Sequence, residues 1–281
     1  MNVPNMNTDK TIPDNKPRNW FSALAHPGIF LGWSKHFIKP LIFLTLISFA
    51  IGLWFAFFNS PPDYQMGETV RIMYIHVPNA WLSQMVYSIM AISAIGSLVW
   101  RHPLADVAMK AAAPLGAVFT AVALFTGALW GRPTWGTYWE WDGRMTSTLV
   151  LFLMYLGLVA LWNTFSDQSK GARIIAVFTL VGAINIPIIK FSVEWWNALH
   201  QPSIISAQGL SMPAELYTPL LIMTLAFTLM FFTLHLVNMR SEIFRRRANT
   251  LERQHVIENT SKPIMKNNII DISASDGGNN K

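Results

Sequence analysis

Trp135-Gly136-Thr137-Tyr138-Trp139-Glu140-Trp141-Asp142 gathers three indoles, a phenol and two carboxylates in one short segment. Indole and phenol rings offer broad apolar faces with polar edges, and several of them together suit a large, flat, apolar ligand such as a porphyrin. Gly136 is expected to let the backbone come close to whatever lies on that surface. Trp and Tyr also collect in the aromatic belts of ordinary membrane proteins. A belt, however, requires no fixed spacing and no glycine or aspartate locked among its rings.

Two histidines bracket this segment. His76 lies in Arg71-Ile72-Met73-Tyr74-Ile75-His76-Val77-Pro78-Asn79, and His200 in Ser192-Val193-Glu194-Trp195-Trp196-Asn197-Ala198-Leu199-His200-Gln201. Imidazole is a common haem-iron ligand, and two imidazoles can close the axial positions on either side of a porphyrin. A lone histidine near a membrane surface is usually structural. Two of them flanking an indole-rich loop on one face point to ligation.

The elements that position these residues are membrane spans. Hydrophobic residues make up 52% of the chain and charged residues 13%, about half the charged share of a typical soluble domain. Six apolar runs, Pro40–Phe58, Ala80–Trp100, Ala111–Trp130, Thr146–Phe165, Ala172–Phe191 and Tyr217–Asn238, each approach the length needed to cross a bilayer. Backbone groups in lipid must be paired within the segment, so an all-α, polytopic membrane protein with six transmembrane helices and short interfacial helices is expected. Pro114, Pro187 and Pro219 predict kinks or helix starts. One interfacial helix is expected after the fifth span, with Trp195, Trp196 and Leu199 on its apolar side and Glu194, Asn197 and Gln201 facing water.

Charge orients the bundle. Lys35 and Lys39 precede the first run, Arg101 and Lys110 occupy the second connection, Lys170 and Arg173 the fourth, and Arg245-Arg246-Arg247 follows the last run. By the positive-inside rule both termini are cytoplasmic and the aromatic segment faces outward. His26, His36, His102, His235 and His255 then fall on the cytoplasmic side. The expected organisation is a cytoplasmic segment over 1–39, a membrane domain over 40–240 with outer loops at 59–79, 131–145 and 192–216, and a basic cytoplasmic tail over 241–281. Both polar ends are expected to be flexible. The first run reads as an anchor rather than a cleaved signal. Arg245-Arg246-Arg247, directly after a span, reads as a topology signal or a contact to anionic lipid, not as a nucleic-acid patch.

Trp135-Gly-x-x-Trp139-x-Trp141-Asp142, with one histidine in each flanking outer loop, resembles the tryptophan-rich WWD motif of the haem-handling proteins of cytochrome c maturation. Within that group the chain is most similar to the CcmC, or haem exporter protein C, family, over about residues 20–245. Haem lyases of the CcmF and CcsA types continue the motif with Pro and Glu, whereas this chain continues Gly143-Arg144-Met145. The resemblance implies a protein that holds haem b as a transported ligand at the periplasmic face of the bacterial inner membrane. It further implies transfer of that haem to the periplasmic chaperone CcmE, in association with an ABC-type complex of CcmA, CcmB and the small protein CcmD. Carried over residue by residue, His76 and His200 are the axial ligands and Trp135, Trp139 and Trp141 form the platform. Asp142 orients its loop or the incoming chaperone. Haem carries two propionates, for which Arg71 and Arg144 are the expected cationic partners, with Arg132 a weaker third.

The chain has no cysteine, so it carries no Cys-x-x-Cys-His attachment site and no thiol relay. It has no Gly-x-x-x-x-Gly-Lys-Ser/Thr loop, which assigns ATP hydrolysis to a partner. No nucleophile triad or zinc signature accompanies the spans, and an enzyme is not expected. Gly127-Ala-Leu-Trp-Gly131 matches a helix-packing spacing. Two other functions stay open: a permease moving haem through its own bundle, which requires a polar internal path, and an electron-transferring b-type cytochrome, which usually buries its histidines inside paired helices.

Overall fold

The computed structural model describes residues 26–165, 168–196, 200, 205–206, 209–210 and 212–275. It is predominantly helical, with six segments long and apolar enough to cross a membrane among the described residues: Pro27–Asn59, Glu68–Trp100, Pro103–Trp135, Gly143–Thr164, Lys170–Trp195 and Ala214–Ile257. The chain is thus an all-α polytopic membrane protein. The sole β pairing among named elements there is a two-stranded antiparallel ribbon, β1 (Ile205–Ser206) with β2 (Gly209–Leu210).

Helix α1 (Pro27–Trp54) starts at a proline, whose missing N–H is unneeded in a first turn, and the His26 imidazole accepts from the Gly28 N–H at 3.1 Å. Pro40 therefore lies inside the helix rather than at its start. A π-turn, Phe55–Asn59, ends the first span, and a 3₁₀ segment, Glu68–Ile72, leads into α2 (Met73–Trp100). Helix α3 (Pro103–Trp135) returns along α2 after a tight turn in which Arg101 adopts a left-handed φ of 49°. Helix α4 (Gly143–Thr164) is followed by α5 (Gln168–Gly182) and α6 (Asn185–Trp195). The last helix, α7 (Ala214–Ser275), runs on well beyond its apolar part, so the basic stretch 245–275 is helical where a flexible tail is expected. Residues 1–25 and 276–281 lie outside the described residues.

The fifth span is broken. Pro187 has no N–H to give the Ala183 carbonyl, and its ring crowds that carbonyl, so α5 stops at Gly182 and α6 restarts at Asn185. The expected interfacial helix after this span falls within the described residues only at its start. Glu194 and Trp195 close α6 itself, and Trp196 is already extended, with φ −128° and ψ 150°. Asn197, Leu199 and Gln201 lie outside the described residues.

Packing is most extensive between α2 and α3 and between α1 and α7. The central core sets Leu82, Val86, Tyr87 and Met90 of α2 against Leu151 and Tyr155 of α4, all essentially inaccessible. The Tyr155 hydroxyl donates to the Ser83 carbonyl at 2.7 Å, meeting the requirement that a buried hydroxyl find a partner. This core lies directly beneath the end of the bundle that carries the Trp135–Asp142 segment.

Candidate functional site

A cavity of about 500 Å³ lies at that aromatic end, within the usual range for a small-molecule site. Its walls come from the start of α2 (His76, Trp81, Gln84), the end of α3 (Gly127, Trp130, Trp135), the start of α4 (Arg144, Thr148) and α6 (Lys190, Glu194), together with His200.

His76 sits in the first turn of α2, a helical position where the sequence suggests a loop. Its Nδ1 is 3.0 Å from the Ala123 carbonyl of α3 and 3.2 Å from the Thr126 hydroxyl, which itself donates to the Val122 carbonyl at 2.7 Å. A carbonyl only accepts, so Nδ1 carries the proton and Nε2 keeps its lone pair. Its ring meets Trp130 edge-on at 5.8 Å. Gly127 makes room for it: a Cβ at that position would come within 2.9 Å of His76 Cε1. The Gly127/Gly131 spacing thus serves the site, Gly131 in turn facing the Trp135 ring and the Thr137 carbonyl.

His200 reaches the cavity from the segment after α6. Its Nδ1 donates to Asp142 Oδ2 at 2.7 Å, and its ring lies 4.7 Å from that of Trp135. The other oxygen, Asp142 Oδ1, accepts the Met145 N–H at 2.7 Å and so caps α4. Only 3% of the Asp142 side chain is exposed. Burial pushes the His200 pKa down, opposed by the Asp142 hydrogen bond and charge. With its pKa lowered, His200 is the neutral imidazole, donating through Nδ1 and again keeping the Nε2 lone pair. A carboxylate behind the far nitrogen is the usual way to fix the tautomer and orientation of a metal-binding histidine.

Of the residues singled out in the sequence, His76, Trp135, Arg144 and His200 line the cavity, and Asp142 stands behind His200. Trp139, Trp141 and Arg71 do not line it. Trp139 and Trp141 pair edge-to-face at 5.3 Å outside it, with Trp141 73% exposed. Arg71 binds Glu68 at 2.6 Å and donates to the carbonyls of Ala56, Phe57 and Ser60. Those carbonyls end the first span and have no helical partner, so Arg71 closes that helix end. Arg132 donates to the Gly136 carbonyl and covers the Tyr138 ring. Gly136 has nothing within 4 Å of a would-be Cβ; its φ of 81° makes it the left-handed cap of α3, with its N–H on the Arg132 carbonyl.

Trp81, Gln84, Gly127, Trp130, Lys190 and Glu194 line the cavity without a motif in the sequence that marks them as site residues. Gly127 and Trp130 were detectable as near neighbours of Trp135 on one helix, and Lys190 as a charge inside an apolar run.

The family model described as "Heme exporter protein C" (CcmC) matches residues 20–254. The chain belongs to this family. Proteins named heme exporter protein C from Bradyrhizobium diazoefficiens and Escherichia coli K12 are 60% and 44% identical to it, over 82% and 75% of this chain and 87% and 84% of their own. A ccmC-like mitochondrial protein of cytochrome c biosynthesis from Marchantia polymorpha is 43% identical over 74% of this chain and 88% of its own. The CcmC family match spans all the elements that build the cavity.

Proposed function

We propose that this chain is a haem-handling protein of cytochrome c maturation that binds haem b between His76 and His200. It holds that haem at the periplasmic face of the inner membrane, with both chain termini cytoplasmic. From there it loads the haem chaperone CcmE, working beside an ABC-type complex of CcmA, CcmB and CcmD. It acts as a carrier and not as an enzyme.

The observation that carries this reading is the matched state of the two imidazoles. Each has Nδ1 held by an acceptor, Ala123 O for one and Asp142 Oδ2 for the other, which leaves each Nε2 with its lone pair, and both residues line one cavity. Among the described residues no group of three or more His, Asp or Glu could hold a bare metal ion. Two imidazoles suit a metal that brings its other four ligands with it, as haem does. Trp81, Trp130 and Trp135 then supply apolar walls for the macrocycle. Trp141, exposed and packed edge-to-face on the half-buried Trp139, offers an aromatic surface to the chaperone that takes the haem away.

A permease path would have to pass through Leu82, Val86, Leu151 and Tyr155, which fill the bundle beneath the cavity. Electron transfer draws support from one feature, the placement of His76 on a helix. The visible spectrum of the purified protein, oxidised and reduced, with and without the chaperone, tests the choice. We expect a six-coordinate bis-imidazole spectrum that disappears into the chaperone as it is loaded. Haem that stays in place while cycling between oxidation states would favour the cytochrome, and a protein that binds no haem would overturn the proposal.

A further inference from the structure

We infer that Lys190 is a propionate anchor, binding a ligand carboxylate across the cavity from Arg144. The inference rests on the haem reading above and adds how the site recognises the ligand's acidic edge.

Lys190 lies within the fifth span, on α6, and lines the cavity with Ile189, Val193 and Glu194 of the same helix. An ammonium inside a membrane span is costly unless it faces a polar cavity or meets a negative charge, so such residues mark ligand paths. No carboxylate lies within salt-bridge distance of Lys190 among the described residues, although Glu194 shares its wall. Two further cations of this end, Arg71 and Arg132, lie off the cavity wall. Arg71 holds the end of the first span, and Arg132 holds the Gly136 carbonyl and the Tyr138 ring. Arg144 and Lys190 are the two cationic side chains on the cavity wall, on different helices, and Glu194 is its one carboxylate. A haem carries two propionates. Two cations on separate helices suit two carboxylates on one edge of a rigid ring, and a hydrogen bond between charged groups is about twice as strong as one between neutral groups. The break at Pro187 permits this, because it lets α6 take its own course to the cavity instead of following α5.

The test compares haem b with haem dimethyl ester, which keeps iron and ring but has no carboxylate. Full-length protein in nanodiscs is titrated with each, and binding is read from the visible spectrum. Lys190→Gln should weaken haem b binding by roughly tenfold or more while leaving the dimethyl ester affinity unchanged. Lys190→Arg should restore most of the haem b affinity. Unchanged binding of the dimethyl ester also shows that the variant is folded. Equal weakening for both ligands, or no weakening for haem b, would overturn the assignment of Lys190 and leave the haem site standing. Failure of the unsubstituted protein to bind either ligand would instead remove the haem reading and this inference with it.

Discussion

The two histidines of the cavity are held in contrasting ways. His76 is built into the first turn of α2, clamped to a backbone carbonyl of α3 and fitted over a glycine of the same helix. Helix-to-helix packing between α2 and α3 is the most extensive in the molecule, so His76 cannot move without the bundle. His200 follows the end of α6, and its Nδ1 donates to one side-chain carboxylate, that of Asp142. Side chains change rotamer far more readily than packed helices shift. In the proposed haem site, the His76 side is the fixed post and the His200 side the one more easily released. A protein that must bind a ligand and then give it up benefits from having one of each.

The sharpest way to break this comparison is to remove each imidazole. His76→Ala and His200→Ala should each abolish haem delivery, with the spectrum changing to a five-coordinate or water-bound iron. Imidazole added to the buffer should recover the spectrum of His200→Ala better than that of His76→Ala, because the His76 vacancy lies between the closely packed α2 and α3. Equal recovery in both would remove the asymmetry.

Asp142 comes next in size. In Asp142→Asn the amide oxygen can still cap α4, while the NH₂ faces His200 Nδ1 and drives the proton onto Nε2. Haem affinity should fall by about 10–100-fold, the range seen when a carboxylate behind a metal-binding histidine is lost. Thermal stability should change little. Asp142→Ala should lose a comparable share of affinity and about 1 kcal/mol of stability from the missing cap. If both variants unfold together with no difference in spectrum, Asp142 acts only as a cap.

Gly127→Ala tests the fixed post. The added methyl meets His76 Cε1, and overpacking of this kind costs about 1–3 kcal/mol, read as a lower melting temperature together with a shifted haem spectrum. The smallest effect on the ligand is expected from Arg71→Ala. Melting temperature should drop as the end of the first span loses its donor, while the haem spectrum of the folded fraction stays unchanged. A selective loss of haem there would return Arg71 to the site.

The helical bundle was legible in the sequence because the bilayer leaves the backbone few options: apolar runs of spanning length become helices. The break at Pro187 was legible for the same local reason. His76 was misplaced because Val77-Pro78 reads as a loop, whereas a proline is tolerated in a helix's early turns. Arg71, Trp139 and Trp141 show a second limit. Residue type announces what a side chain can bind, but which partner it finds depends on neighbours far away in the chain. Arg71 meets the carbonyls of Ala56 and Ser60, and the sequence contains no mark of that pairing. Lys190 was visible as an in-span charge, yet only the convergence of α3, α4 and α6 gives it a wall to stand on.

The double duty of Asp142 bears on how the molecule is made. A membrane protein is threaded into the bilayer in chain order. The His76 post is complete once α2 and α3 have paired, because its acceptor, Ala123, belongs to α3. His200 is synthesised later, and its holder has meanwhile been waiting at the start of α4 with one oxygen already engaged. The ligand site is thus finished only when the fifth span has been delivered. A nascent chain stalled before that point offers the cavity a single imidazole.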